Sequence, residues 1–357
     1  MADISVIIPC YNAASYIDRL MTTITSQTIG IDSLEIICVD DASTDDTWKH
    51  LQVWEQRYPN NIILIHCDEN GRQGTARNIG LSYASTDWIS FIDSDDWVEL
   101  DYFETMYQIT TYSEHDVIVC QYARDSSCSI SFFENRKTDK ESRSMLIDTI
   151  EKRKLFVYFQ SMGGIAPCKL IRKSILLDHQ IFFPENLTYE DNYWAALLHF
   201  YVNRIYFVEE KMYHYYINTT STVLQSNAGH HVDCLTVNCI KWSEWMRRGL
   251  LDTYREELEF DFIYTCYLGF LQIILSRFTV PPYSLYLLLK EITLKRVPDY
   301  QKNKYIHEGL TKFHLTLLES LSLPLNKTQF SQLALFAKAY WTNHPMYKNE
   351  QIGDPKA

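Results

Sequence analysis

Ile4-Ser5-Val6-Ile7-Ile8-Pro9 is a short apolar run near the start of the chain. Such a run is typical of a parallel strand that is buried on both faces of a sheet. Similar runs follow at 34–39, 62–66 and 88–92, and the segments between them carry apolar residues at helical spacing. This alternation with short connections predicts an α/β fold built on a doubly wound sheet with right-handed crossovers.

The later part of the chain has a looser pattern. The strands expected there are 116–120, 129–133 and 205–217. Glu190-Asp191 precedes an apolar-periodic segment that predicts a helix, and the pattern from about residue 227 onward is mostly helical. We therefore expect two domains, an α/β domain over residues 1–225 and a C-terminal helical region over residues 226–357.

The composition excludes some classes of function. The 357 residues carry 33 Lys and Arg against 45 Asp and Glu, a formal net charge of −12. No nucleic-acid partner is expected, because a general nucleic-acid binder needs a basic face. Nine cysteines without a CxxC pair are typical of buried thiols in a reducing compartment, so we expect a cytoplasmic protein. A peripheral contact with the inner face of the membrane stays open, although no basic amphipathic helix stands out.

Acidic and small polar residues gather at one predicted edge of the sheet. Ligands of such sheets bind outside the carboxyl ends of the strands. The segments at those ends are Pro9-Cys10-Tyr11-Asn12, Asp40-Asp41 and Asp93-Ser94-Asp95-Asp96. This concentration of carboxylates is the most informative feature of the sequence, and it predicts a ligand site there.

Asp93 and Asp95 are separated by one residue at a strand exit, so both can approach one divalent cation and its diphosphate ligand. Hard carboxylate oxygens suit Mg²⁺ or Mn²⁺. A polar turn with a helix cap is the alternative interpretation. Asp41 can accept hydrogen bonds from a nucleobase or ribose, or it can belong to turn chemistry alone.

Arg77 and the pair Glu190-Asp191 also have two interpretations each. Arg77 can bind phosphate oxygens, or it can be the ion-pair partner of one of the aspartates. Carboxylates at a helix start are favoured by the helix dipole whatever their function. A carboxylate that acts as a general base must in addition lie in a cleft, within hydrogen-bond reach of the hydroxyl that it deprotonates.

Five segments in this order resemble the motifs of glycosyltransferase family 2, and the resemblance covers roughly residues 4–225. The segments are Ile4–Asn12, Glu35–Thr47, Gly74-Thr75-Ala76-Arg77-Asn78, Phe91–Asp96 and Tyr189-Glu190-Asp191, the last preceded by Cys168–Arg172. Five motifs in the right order are far more specific than any one of them.

The resemblance implies a GT-A fold and an inverting hexosyl- or N-acetylhexosaminyltransferase of the bacterial cell-surface polysaccharide type. The expected donor is a nucleotide-diphosphate sugar, most often UDP-linked, and the expected acceptor is a glycan or a lipid-linked molecule. The expected cofactor is Mn²⁺ or Mg²⁺. The residues that the resemblance assigns to the donor are Pro9, Tyr11, Asn12, Asp41, Arg77, Asp93 and Ser94. It assigns Asp93 and Asp95 to the metal, Asp191 to the catalytic base, and Glu190 to a supporting role.

The chain departs from the family pattern at the end of the last predicted strand. A basic residue that is common there is not obvious in residues 215–221, and Asn218 or Ser221 can take its place. Two other functions stay open at this point: a non-catalytic sugar-nucleotide-binding protein, which needs no base, and a nucleotidyltransferase. The second is disfavoured because residues 9–20 lack a basic, Gly-rich signature and contain only Arg19.

Overall fold

The first strand, β1 (Ile4–Cys10), is buried at all seven positions of the computed structural model. It pairs in parallel with β2 (Leu34–Asp40) and with β4 (Trp88–Phe91), and β2 pairs in parallel with β3 (Ile62–His66). A strand with a parallel neighbour on each side is covered by helices above and below, which explains its unbroken apolar sequence. The four predicted strands of the first hundred residues are thereby confirmed.

The described residues are 2–127, 129–218 and 221–343, and within them the sheet has nine strands in the order β3-β2-β1-β4-β8-β6-β9-β5, with β7 on β9. The remaining strands are β5 (Trp97–Val98), β6 (Val117–Asp125), β7 (Arg143–Leu146), β8 (Lys169–Arg172) and β9 (Arg204–Tyr216). Strand β8 is antiparallel to both β4 and β6, whereas β9 is parallel to β6. The sheet is therefore mixed, with a parallel half that carries the predicted strand exits.

The helices of the first unit connect these strands. They are α1 (Ile17–Thr25), α2 (Thr47–Arg57), α3 (Arg72–Tyr83), α4 (Tyr102–Tyr112), α5 (Ile150–Phe159), α6 (Lys173–Asp178) and α7 (Asp191–Tyr201). The sequence of α1 shows why it is a helix, since Ile17, Leu20, Met21 and Ile24 recur at helical spacing and are all buried. The helix predicted after Glu190-Asp191 is confirmed as α7.

The chain divides into two compact units after Asn218, whereas the sequence placed the limit at residues 225/226. The described part of the second unit is helical. Its helices are α8 (Asp233–Arg247), α9 (Leu250–Asp261), α10 (Gly269–Arg277), α11 (Tyr283–Arg296), α12 (Lys304–Gly309), α13 (Lys312–Ser322) and α14 (Lys327–Asn343), with a π-helix (Phe262–Leu268) joining α9 to α10. The continuous helix 250–277 is long and apolar enough to cross a membrane, but 72% of its most apolar window is buried, as in the core helix of a soluble protein.

One strand prediction is wrong. Residues 129–133 form no strand, and the next strand along the chain is β7, which pairs with β9. Backbone groups of the first segment bond to side chains: Ser131 O accepts from Trp97 Nε1 at 3.0 Å, and Phe133 N donates to Glu99 Oε1 at 2.9 Å. Cys128, one of the nine predicted thiols, lies outside the described residues.

Helix α3 crosses β1 at Gly80. A Cβ atom added at Gly80 would overlap the Cγ2 methyl of Ile7, which lies in the buried middle of β1. The absence of a side chain therefore sets how closely α3 approaches the sheet, and with it the position of the first turn of α3 at the strand exits.

We expect Gly80→Ala to lower the free energy of unfolding by about 1–3 kcal/mol, because overpacking a close-packed core outweighs the roughly 1 kcal/mol that alanine gains in helix propensity. Urea denaturation measures this change. Gly164→Ala is the matched control, since nothing lies within 4 Å of a Cβ there. In a double-mutant cycle, Ile7→Ala should absorb part of the cost. A Gly80→Ala protein as stable as the wild type would contradict this packing.

Candidate active site

The loop after β1 is tied to the loop after β2 by side chains. Asn12 N donates to Ser43 Oγ at 3.0 Å, and Asn12 Oδ1 accepts from Thr44 N at 2.8 Å. Ala13 N donates to Thr47 Oγ1 at 2.7 Å. Asn12 has a positive φ of 49°, which asparagine tolerates better than most residues. Asn12 thus fixes the loop after β1, which also carries Tyr11, a residue that is 50% exposed. Pro9 is buried within β1 itself.

Asp41 connects the end of β2 to the start of α3. It is buried, and its Oδ1 accepts from Gly71 N at 2.7 Å. Burial raises the pKa of Asp41, while the bond from Gly71 opposes this effect. Both interpretations of Asp41 therefore remain compatible with its position: it orders the turn, and it lies at the strand exit where a base or ribose would bind.

Arg77 lies at the centre of the site. Its guanidinium is 3% exposed and forms two ion pairs, from Nη2 to Asp93 Oδ1 at 2.8 Å and from Nη1 to Glu190 Oε1 at 2.6 Å. It also lies 5.1 Å from the ring centroid of Phe183. The structure thus places Arg77 as an ion-pair partner of the acidic edge, and it joins the exit of β4 to the start of α7.

The turn after β4 presents Asp93, Ser94 and Asp95 as partly exposed residues. Asp93 Oδ1 also accepts from Gln73 Nε2 at 2.9 Å, and Asp95 Oδ2 accepts from Asn218 Nδ2 at 3.1 Å. Burial and the neighbouring charge of Asp93 raise the pKa of Asp95. No group of three or more His, Cys, Asp or Glu side chains with metal-site geometry occurs among the described residues. The chain itself therefore offers two carboxylates here, and further ligands would have to come from substrate and water.

Asp96, the fourth residue of this turn, points inward. It is buried, its Oδ2 accepts from the hydroxyl of Tyr213, and its Oδ1 accepts from Tyr216 N at 2.7 Å. The Tyr213 hydroxyl in turn accepts from Asp93 N at 3.3 Å. Asp96 thus fastens the turn to β9 and fixes the direction of the two carboxylates before it.

Asp191 begins α7, beside the Glu190 that pairs with Arg77. Burial, followed by the charge of Glu190, raises the pKa of Asp191 to about 7, and Arg77 partly offsets the shift. Lys169, on β8, is buried and donates from Nζ to Ile165 O at 2.5 Å. Burial lowers the pKa of Lys169 to about 8, although the charge of Asp191 opposes the shift. A carboxyl group with a pKa near neutrality can exchange a proton at working pH.

The structure therefore brings Arg77, Asp93 and Glu190 into direct contact. Asp95 follows Asp93 by two residues, and Asp191 directly follows Glu190. Tyr11, Asn12 and Asp41 lie on the loops after β1 and β2, and Pro9 lies near the end of β1 itself. Sequence reasoning missed Gln73, Asp96 and Tyr213. Gln73 could have been found, because it stands one helical turn before Arg77. The bond between Asp96 and Tyr213 spans 117 residues and leaves no local signal.

We expect Arg77→Met to lower the free energy of unfolding by about 3–5 kcal/mol, because it leaves the buried carboxylate of Glu190 without a partner. Adding Glu190→Gln should restore a large part of that loss, since the remaining group is neutral. Arg77→Lys should be intermediate, because one ammonium cannot bond both carboxylates in the geometry of the guanidinium. Urea denaturation at pH 7.5 measures all three variants, and equal losses in the single and double variants would contradict the ion-pair network.

Comparisons with known proteins show the family of the chain. The family model of Glycosyl transferase family 2 matches residues 5–179. The chain is 30% identical over 217 residues to glycosyltransferase GlyG of Streptococcus pneumoniae, an alignment that covers 59% of this chain and 70% of that protein. It is 24% identical over 260 residues to the poly(ribitol-phosphate) beta-N-acetylglucosaminyltransferase TarS of Staphylococcus aureus, of which it spans 42%.

The fold is also similar to a solved structure. The crystal structure of residues 1–349 of S. aureus TarS in complex with UDP-GlcNAc superposes with a TM-score of 0.69 at 18% identity. The superposition covers 96% of this chain and 92% of that one. This likeness shows the fold, a GT-A domain followed by a helical region, and it confirms the predicted fold class.

These findings decide which of the functions left open by the sequence fits the family of the chain. The matched model and the GlyG relative are both those of glycosyltransferases, and neither a nucleotidyltransferase nor a simple binding protein is indicated. The chain belongs to glycosyltransferase family 2 and is a glycosyltransferase of GT-A fold.

Proposed function

We propose that this enzyme transfers a hexosyl or N-acetylhexosaminyl group from a UDP-sugar to a glycan or lipid-linked acceptor in the cytoplasm, with inversion at the anomeric carbon. The observation that carries the proposal is the Arg77 network, which joins the turn of Asp93 and Asp95 to the start of α7, where Asp191 lies. A turn whose carboxylates could hold a divalent cation for the diphosphate and a candidate base are thereby connected through one side chain.

A UDP-linked donor is supported by the similar structure, whose crystals contain UDP-GlcNAc. On this chain, the donor base and ribose would lie at the loops after β1 and β2, where Asp41 and the exposed ring of Tyr11 are found. A carboxylate can accept from the imide N–H of uracil or from ribose hydroxyls, and an aromatic ring offers a flat apolar surface to the base.

A divalent metal ion fits the residues of the turn after β4. Asp93 and Asp95 provide hard oxygen ligands, and Mg²⁺ or Mn²⁺ in such sites usually completes its coordination with substrate phosphates and water. Burial and then the charge of Asp93 raise the pKa of Asp95, and a divalent cation on its carboxylate would oppose both effects. When bound, the cation would neutralise the charge that develops on the departing diphosphate.

Asp191 is the proposed general base. Its carboxylate would accept the proton of the attacking acceptor hydroxyl while the bond between the sugar and the diphosphate breaks. A pKa of about 7 suits a general base that acts near neutral pH. One base is enough for a single displacement with inversion, whereas retention through two displacements needs a carboxylate nucleophile beneath the sugar.

The metal prediction is tested by UDP release from a panel of UDP-sugars. We expect excess chelator to abolish release, and Mn²⁺ or Mg²⁺ to restore it, because the diphosphate leaves poorly without charge neutralisation. Asp95→Asn should raise the metal concentration needed for half-maximal rate. Full activity in excess chelator would contradict the metal assignment.

The base prediction is tested by Asp191→Asn, which keeps the shape of the side chain. Turnover at saturating donor should fall by roughly a hundredfold or more, because the acceptor hydroxyl loses its proton acceptor. The affinity for UDP should change little. Glu190→Gln serves as the comparison and should cost less turnover, since Glu190 bonds to Arg77 rather than to substrate. Near-normal turnover in Asp191→Asn would move the role of base to another residue.

The pH dependence of turnover and of stability tests the role of Asp191 independently. Wild-type turnover should fall about tenfold per pH unit below the pKa of Asp191, because only ionised Asp191 accepts a proton. That pKa is about 7 in the metal-free chain and should be lower with the metal ion bound. Since the pKa of Asp191 is raised in the folded state, its contribution to stability is full at low pH and is lost as pH rises through about 7. Asp191→Asn should therefore raise Tm relative to wild type more at pH 8 than at pH 6.

A further inference from the structure

Positive side chains around the acidic edge are already engaged by the protein. Arg77 is held between Asp93 and Glu190, and Lys169 donates to Ile165 O. Arg19 donates to the backbone oxygen of Asp95 at 2.5 Å. A diphosphate that binds here through a metal ion still has oxygens that need hydrogen-bond donors.

Tyr215 lies on β9 in a position to supply such a donor. Residues two apart in a strand share a face, so Tyr215 projects from the same face as Tyr213. The hydroxyl of Tyr213 bonds to Asp93 N and to Asp96, and Asn218, just beyond the strand, bonds to Asp95. Tyr215 therefore lies in the chain between Tyr213 and Asn218, and both of these residues bond to the turn of residues 93–96.

The surroundings of Tyr215 favour a neutral, protonated hydroxyl. Its ring is partly buried and lies 6.0 Å from the ring of Tyr122. Burial and the charges of Asp96, Asp93 and Asp95 raise the pKa of Tyr215 well above its usual range, so the hydroxyl keeps its proton. Among the described residues, no hydrogen-bond partner for this hydroxyl occurs.

We propose that the Tyr215 hydroxyl donates a hydrogen bond to a diphosphate oxygen of the bound nucleotide-sugar, an inference that rests on the proposed function. A phenol suits this position for an electrostatic reason. A guanidinium or ammonium group beside these carboxylates would be drawn into ion pairs with them, as Arg77 is. A neutral hydroxyl forms no ion pair and remains available to the anionic ligand.

The experiment compares UDP and uridine on Tyr215→Phe, which removes only the hydroxyl. With Mn²⁺ present, we expect the Kd of UDP to rise about tenfold, the cost of one hydrogen bond to a charged group. The affinity for uridine, measured by ligand-observed NMR at millimolar concentration, should not change, because uridine has no diphosphate. Tm should also not change, since the hydroxyl has no protein partner.

Two tyrosine variants calibrate this result. Tyr213→Phe should lower Tm, because Asp96 and Asp93 N lose a bonded hydroxyl. Tyr83→Phe, on the exposed side of α3, should leave Tm and both affinities unchanged. Unchanged UDP affinity in Tyr215→Phe would overturn the inference, and so would an equal loss for UDP and uridine. Absence of UDP binding by the wild type with Mn²⁺ would instead overturn the proposed function, and this inference with it.

Discussion

The buried guanidinium of Arg77 is the interaction on which the geometry of the site depends. It is the contact between the exit of β4, through Asp93, and the start of α7, through Glu190. Burying a charge is costly unless its partners are fixed in good geometry, and two carboxylates in bonded contact with separate nitrogens meet that condition. The position of Asp191 relative to the turn of Asp93 and Asp95 follows from this pair of bonds.

Close packing around Arg77 supports the same arrangement. Gly74 stands almost one turn before Arg77 on α3, and a Cβ there would lie 2.7 Å from Pro184 O and 2.8 Å from Glu190 Cγ. Helix α3 can therefore approach the segment before α7 only because residue 74 has no side chain. Gly80, further along the same helix, allows the same close approach to β1. The helix that carries Arg77 is thus fixed against the sheet on one side and against Glu190 on the other.

The sequence predicts the parallel half of the fold and the strand exits well because these features have local causes. An apolar run such as 4–9 and the polar residues that follow it are adjacent in the chain. The sequence could not show whether Arg77 binds phosphate or forms an ion pair with the protein, because both interpretations require only an arginine near aspartates. The inward turn of Asp96 depends on Tyr213, and the irregular course of 129–133 depends on Trp97 and Glu99, all distant in the chain. Tertiary contacts, rather than propensity, decide such features.

The charge balance of the site connects metal binding to the proposed proton transfer. Arg77 contributes one positive charge against the carboxylates of Asp93 and Glu190, so the site keeps an excess of negative charge even before Asp191 ionises. The charge of Asp93 is one of the causes of the raised pKa of Asp191. A divalent cation on Asp93 and Asp95 would reverse that contribution and lower the pKa of Asp191. In the proposed reaction, binding of the metal ion would therefore also favour ionised Asp191, because Asp93 both holds the metal ion and acts on the pKa of Asp191.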